Sequence, residues 1–222
     1  MTITLALLAL MMGVLVVWLV RQTINVKPWI PELQIAPAPT SGVASQPAVK
    51  LGLVAFLAVV TSLFALFISA YTMRMGYADW RPMPEPDLLW LNTGILILSS
   101  VGLQWASSAA KRNRIRGMRF GLMAGGACAV GFVAGQLLAW QQLTASGYFL
   151  ASNPANAFFY VITALHALHL LGGLVAWGRT VIRVWWRGFD ASQVRLSVEL
   201  CAVYWHFLLV VWLILFGLLL ST

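Results

Sequence analysis

Six long apolar runs dominate the chain, and short polar segments separate them. The runs cover residues 2–20, 51–73, 88–108, 118–140, 156–178 and 197–220. Each is close to the roughly 20 residues that an α-helix needs to cross about 30 Å of hydrocarbon. Because lipid offers no hydrogen-bond partners to an open backbone, the pattern predicts an all-α integral membrane protein with six transmembrane helices.

The composition agrees with a membrane location. Of the 222 residues, 61% are hydrophobic and only 9% are charged, whereas soluble domains are about 25% charged. The first run has no basic residue before it and continues to Val20, so we interpret it as a retained helix and not as a cleaved signal peptide.

A change in composition separates the first run from the others. The segment "QIAPAPTSGVASQPAVK" is rich in Pro, Ala and Ser, which is typical of a linker. We therefore divide the chain into an N-terminal helix with the start of the linker at 1–33, the linker at 34–49, and a five-helix core at 50–222.

Basic residues predict the orientation, because Lys and Arg accumulate in cytoplasmic loops. Two loops carry them: 179–195 has four arginines, and 111–119 contains Lys111, Arg112, Arg114, Arg116 and Arg119. With both loops in the cytoplasm, six helices place both termini outside. The net charge of +8 then reflects topology, and we expect no nucleic-acid partner. The 111–119 cluster is also a candidate contact for anionic lipid headgroups.

The sequence lacks the common motifs for nucleotide binding and for metal-dependent hydrolysis. There is no P-loop, dinucleotide-binding or HExxH pattern, and no internal repeat of the kind found in transporters. Cys128 and Cys201 lie in different apolar runs without a CxxC, so we interpret them as packing residues.

The candidate chemistry lies in four polar residues inside the last two runs. His166 and His169 are one helical turn apart, and His206 follows Glu199 by two turns, so each pair shares a helix face. Polar groups at this depth are costly and usually face the bundle interior. We therefore predict a polar cluster of His166, His169, Glu199 and His206 between the last two helices.

Four roles compete for this cluster. Interhelical hydrogen bonding is the role we favour from the residues. A b-type haem could be ligated by His166, His169 and His206, although bulky leucines flank His169. A di-metal site would need several Glu-x-x-His motifs, and only one Glu, Glu199, lies within an apolar run. Proton transfer is the fourth role, because His titrates near neutral pH.

Two segments together resemble a known family. "NPANAFFYVITALHALHLLGG" (153–173) and "ELCAVYWHFLLVVWLILF" (199–216) are similar to the final helices of cytochrome c oxidase subunit III, from the haem-copper oxidases. The shared positions are Phe158, Phe159, Thr163, His166, His169, Gly172 or Gly173, Glu199 and Tyr204-Trp205-His206-Phe207. Upstream, "KLGLVAFL", "LNTGILILSS" and Gln136 with Trp140 also fit, so the resemblance extends from about Lys50 to Leu220.

The resemblance implies a supporting subunit with no catalytic, cofactor or metal residues of its own. In this family, haem and copper belong to subunits I and II, which transfer electrons to O₂ and pump protons. Subunit III packs mainly against subunit I, also has subunit II as a partner, and binds phospholipid. Longer members have seven helices, and this chain would have the last five of them together with one N-terminal helix. The resemblance also implies a location in a bacterial inner membrane.

Three positions depart from the family pattern. Val60, Ala139 and Leu209 stand where members often have carboxylates. Roles that rest on those acids are therefore not transferred to this chain. Two alternatives stay open: an accessory subunit of a nitric-oxide-reductase-type complex, and a free-standing di-haem membrane cytochrome.

Two further patterns suit a packing subunit. A small residue recurs every fourth position at Ala127, Gly131, Gly135 and Ala139, which predicts a close approach by a helix of this chain or of subunit I. Tryptophans near the ends of the runs are interpreted as interfacial anchors: Trp18, Trp90, Trp105, Trp140 and Trp177.

Overall fold

The computed structural model describes residues 46–82, 87–186 and 191–221. Five helices account for most of them: α1 Gln46–Arg74, α2 Leu88–Lys111, α3 Ile115–Ala145, α4 Pro154–Trp185 and α5 Ala191–Leu220. All five are long and apolar enough to cross a membrane. The prediction of an all-α membrane protein is confirmed with five helices, while the predicted helix 2–20 and most of the linker lie outside the described residues.

The helices extend beyond the apolar runs. The run 156–178, for example, belongs to the 32-residue helix Pro154–Trp185. Hydropathy detects only the part of a helix that lies in the hydrocarbon core of the membrane. The helix is longer because its intrahelical hydrogen bonds continue through the polar interface. The helix start that the structure gives for α1, Gln46, is four residues before Lys50, where the core was expected to begin.

The chain divides within α1 into two compact units, residues 1–63 and 64–222. The described part of the first unit is the beginning of α1. There the Thr61 hydroxyl donates to the Leu57 carbonyl at 2.8 Å, which satisfies a polar side chain within its own helix. The second unit contains the rest of α1 and all of α2 to α5.

In the second unit, α2 to α5 form a closed bundle. Helix α2 packs on α3, α3 on α4, α4 on α5, and α5 returns to α2. Ring contacts connect the end of α1 to α4: Tyr71 lies 5.6 Å from Phe158 between ring centroids, and Trp80 in the following turn is 4.9 Å from Tyr71. These contacts pack the end of α1 against the beginning of α4.

Glycine allows α2 and α3 to approach closely. A Cβ added at Gly121 would lie 2.7 Å from the backbone N of Ala106 and 2.7 Å from the carbonyl O of Gly102. The small-residue pattern predicted from sequence also faces α2 of this same chain, because Gly131 meets Ile95 and Gly135 meets Asn92. Ala127, the first residue of the pattern, is exposed and does not take part in this contact.

Local capping residues set the helix ends. The α2–α3 turn uses Asn113 in the left-handed region at φ 53°, and the Arg114 N–H donates to the Ala109 carbonyl at 2.9 Å. Asn153 caps α4 by accepting from the Ala155 N–H at 3.2 Å, with Pro154 at the first helical position.

Candidate functional site

His166 lies at the centre of the second unit. Its side chain is 0% exposed, and its ring centroid is 5.2 Å from that of Trp212, 6.0 Å from Phe132 and 6.4 Å from Phe64. Within the described part of the chain, neither ring nitrogen has a hydrogen-bond partner. His166 therefore contributes to the interior mainly as an aromatic packing residue.

His169 lies one turn further along α4, at the contact with α5. Its Nδ1 is 2.7 Å from the Leu165 carbonyl of its own helix, to which a protonated Nδ1 donates. Its backbone carbonyl accepts from the Tyr204 hydroxyl of α5 at 2.9 Å. The phenol of Tyr204 thus connects α5 to α4 at His169, one of the predicted site residues.

His206 hydrogen-bonds to α2 and not to α4. Its Nε2 is 2.9 Å from Oε1 of Gln104, and its Nδ1 is hydrogen-bonded to the Ser100 hydroxyl. His206 was predicted to face α4, and the difference arises because α5 packs on both α2 and α4. Helical spacing places a residue on a face, but it does not say which neighbour covers that face.

Glu199 is half-buried on α5 and interacts within the protein. A polar connection from Glu199 to the α4 histidines stays a prediction. Among the described residues, no group of three or more His, Cys, Asp or Glu side chains is arranged to hold a metal ion.

Indole N–H groups connect the helices around these histidines. Trp140 donates to the Thr163 hydroxyl at 3.2 Å, Trp177 to the Leu122 carbonyl at 2.9 Å, and Trp212 to the Thr93 hydroxyl at 2.9 Å. Trp140 and Trp177, which were predicted as interfacial anchors, donate to neighbouring helices, and their anchoring role stays a prediction. Exposed indoles at the ends of α2 fit that prediction better: Trp90 and Trp105.

A polar face of α2, which was not among the predicted site residues, also belongs to the site. Asn92, Thr93, Ser99 and Ser100 are all buried, and the Ser99 hydroxyl donates to the Gly125 carbonyl at 2.7 Å. Their spacing of about seven residues was a usable signal, because it places all four on neighbouring parts of one helix face.

Apolar side chains occupy the three positions at which the family resemblance leads us to expect acids. Val60 is 2% exposed and Ala139 is 0% exposed. Leu209 is half-buried on α5. The first two of these positions are therefore buried and apolar.

Basic residues line two depressions at the ends of the helices. One, of about 580 Å³, is lined by Arg112, Arg114 and Arg116 with Trp105. The other, of about 470 Å³, combines Arg114 and Arg119 with two arginines from the other predicted cytoplasmic segment, Arg183 and Arg195. The Arg119 guanidinium also stacks 5.0 Å from the Trp185 ring centroid. Lys111 is exposed nearby.

Comparison with known proteins gives one consistent result. The family model described as "Cytochrome c oxidase subunit III" matches residues 2–220. The chain is 33% identical over 177 residues to "Cytochrome c oxidase subunit 3" of Thermostichus vulcanus, covering 76% of this chain and 85% of the relative. It is 32% identical over 176 residues to the Synechocystis sp. protein of the same name, covering 74% and 72%.

A third relative agrees with these two. "Probable cytochrome c oxidase subunit 3" of Mycobacterium tuberculosis is 32% identical over 157 residues, which cover 69% of this chain and 76% of the relative. The family match extends over nearly the whole sequence, and the five apolar helices are consistent with it. The chain belongs to the cytochrome c oxidase subunit III family.

Proposed function

We propose that this chain is a non-catalytic subunit that stabilises subunit I while the oxidase transfers electrons to O₂ and pumps protons. The observation that carries the proposal is that polar side chains within the bundle form hydrogen bonds between its helices. The indoles of Trp140, Trp177 and Trp212 and the phenol of Tyr204 each donate to a neighbouring helix. A bundle fastened in this way is suited to serve as a rigid packing partner.

The four predicted site residues have a structural role in this proposal. His166 fills an aromatic enclosure, His169 lies at the α4–α5 contact, and His206 binds α2. Glu199 completes the set as the acidic group of α5. Their joint function would be to fix the packing of α5, the helix that contacts both α2 and α4.

The experiment compares oxidase purified from cells with and without this chain. The proposal predicts that the remaining complex still reduces O₂ initially but denatures at a lower temperature and loses activity sooner during turnover. Re-addition of the wild-type chain should restore both properties. A complex without the chain that matches the wild type in lifetime and melting temperature would contradict the stabilising role.

We further propose that anionic phospholipid headgroups bind the two basic depressions. Four arginines converge on the smaller one, and Nε of Arg119 is buried without a hydrogen-bond partner among the described residues. A phosphate offers the bidentate oxygens that guanidinium groups prefer. The indoles of Trp185 and Trp186 beside them suit the headgroup region.

The lipid proposal is tested by charge neutralisation in the intact complex. Arg114→Gln combined with Arg119→Gln should lower the amount of phospholipid retained per complex. The retained phospholipid of the double variant should also depend less on salt concentration than that of the wild type. Arg81→Gln is the matched control, because Arg81 is an exposed arginine in the segment between α1 and α2. Equal retained phosphorus in the double variant and the control would overturn the proposal.

The sixth helix and the orientation are also proposals. We propose that residues 2–20 span the membrane, that 34–49 link this helix to the core beginning at residue 50, and that both termini lie outside. The family match from residue 2 and the arginines near 111–119 and 179–195 support this arrangement. Epitope tags at both ends should be removed by protease added to spheroplasts, and protection of either tag would contradict it.

A further inference from the structure

A polar group on the outer surface of the bundle stands apart from the interior contacts. Gln104 on α2 is exposed, and His206 on α5 is half-buried beside it. The Gln104 amide oxygen is 2.9 Å from Nε2 of His206, while the buried Ser100 hydroxyl is hydrogen-bonded to Nδ1. Both ring nitrogens of the histidine are therefore engaged by α2.

These bonds leave the amide nitrogen of Gln104 as an outward donor. With its oxygen accepting from the Nε2–H of His206, the amide nitrogen has two hydrogens left to donate. None of the described residues accepts a hydrogen bond from it. Gln104 precedes the end of α2 at Lys111 by seven residues, or about 10 Å. A donor at that depth meets acyl chains, which offer no acceptor.

The surface around Gln104 is suited to a packed helix. Val101 and Ile97 on the same side of α2 as Gln104 are 59% and 41% exposed. Gly94, seven residues before Val101, and Gly217, eleven residues after His206, have open space where a Cβ would stand. Glycines that face outward on two adjacent helices allow another helix to approach their backbones closely.

We propose that this α2–α5 surface, centred on Gln104 and His206, is the docking site for a transmembrane helix of the haem-bearing subunit I. The partner helix presents an oxygen acceptor, a hydroxyl, carbonyl or carboxyl group, to the Gln104 amide. This inference rests on the proposed function, since it specifies which face meets the partner. It identifies Gln104 as the residue that sets the depth of the contact.

Two other occupants fit the surface less well. The predicted N-terminal helix of this chain has no oxygen-bearing side chain between residues 5 and 20, since Thr2 and Thr4 are confined to its first turn. A lipid tail would leave the amide donors unpaired in hydrocarbon. A polar partner helix satisfies the donors and fills the space above the glycines.

Photocrosslinking in the intact complex tests the surface without altering its polar group. A benzophenone crosslinker at Val101 should capture the haem-bearing subunit, identified by mass spectrometry. The control position is Leu138 on α3, which is 53% exposed, and its yield with that subunit should be several-fold lower. Equal yields at both positions would overturn the proposal, as would capture of the N-terminal peptide or of a second copy at Val101.

A substitution tests the hydrogen bond itself. Gln104→Leu should weaken retention of the partner subunit about three- to twenty-fold, the range expected for one interhelical hydrogen bond in a membrane. Gln141→Leu, at an exposed position near the end of α3, should leave retention unchanged. Unchanged retention in Gln104→Leu would overturn the assignment of Gln104 as the contact.

Different results would contradict the proposed function and the docking surface. If the wild-type chain does not purify with any haem-copper subunit, the proposed function fails. If it does so but Val101 captures no such subunit above the Leu138 level, only this docking surface is wrong.

Discussion

Two neighbouring glycines of α4 have different surroundings. A Cβ at Gly173 would lie 2.8 Å from ring atoms of Tyr204 and Trp205, whereas Gly172 has open space. Trp205 is 0% exposed, so its ring has no room to move away. Gly173→Ala should therefore destabilise the bundle by about 1–3 kcal/mol, while Gly172→Ala should be neutral or stabilising by up to about 1 kcal/mol. Thermal unfolding of the purified variants checks the difference, and equal midpoints would contradict this packing.

His166 is the residue for which packing and ligation make opposite predictions. Its ring is enclosed by Phe64, Phe132 and Trp212 and makes no hydrogen bond within the described residues. His166→Leu keeps a similar volume and leaves no donor or acceptor without a partner. The expected result is a stability change within about 1.5 kcal/mol and an unchanged haem spectrum of the complex. Loss of a haem band from a folded variant would show that His166 is a ligand.

At the scale of elements, indole hydrogen bonds fix α4 against α3. Trp177 donates to the Leu122 carbonyl at 2.9 Å, so Trp177→Phe removes this hydrogen bond between the helices, while the carbonyl stays within the backbone ladder of α3. The cost should be about 1 kcal/mol or more. Trp105→Phe is the matched control, because Trp105 is 55% exposed. The unfolding midpoint of Trp177→Phe should be lower than that of Trp105→Phe. Equal midpoints would mean that the Trp177 hydrogen bond does not stabilise the bundle.

The turn after α1 is held by an ion pair. The Arg74 guanidinium donates to both carboxylate oxygens of Asp79, one of them at 2.7 Å, and this lowers the pKa of Asp79 below its ordinary value. A lowered folded pKa gives a contribution that is present at neutral pH and is lost as the pH falls through that pKa. Hydrogen exchange at the Trp80 amide should be slower than in Asp79→Asn at neutral pH and should converge with it in acid. A constant difference across the acidic range would contradict the ion pair.

The elements show what hydropathy can and cannot predict. Five of the six apolar runs are helices in the described chain, because membrane insertion makes length and apolarity nearly sufficient. Contact partners were harder to predict. His206 was expected between the last two helices, but it binds Gln104 of α2, and the Trp140 bond to Thr163 of α4 was not predicted. Helix order around the bundle decides such contacts, and periodicity within one helix carries no information about it.

At the scale of the whole molecule, family membership came from motifs and not from any single side chain. The histidines of α4 and the Tyr204 to Phe207 segment identify the subunit III family, and the family match over residues 2–220 bears this out. The structure adds the polar face of α2 and the outward Gln104 amide. The seven-residue spacing indicates the shared face of the α2 polar residues, but which helix covers that face, and what Gln104 meets, depends on the arrangement of the helices.

The measurement that tests the central claim is a reduced-minus-oxidised spectrum of the tagged chain, purified in mild detergent, before and after separation from its partners. Our account predicts that haem absorbance stays with a copper-containing partner and that the separated chain is colourless. Haem that follows this chain would make His166, His169 and His206 candidate ligands and would contradict a non-catalytic packing subunit.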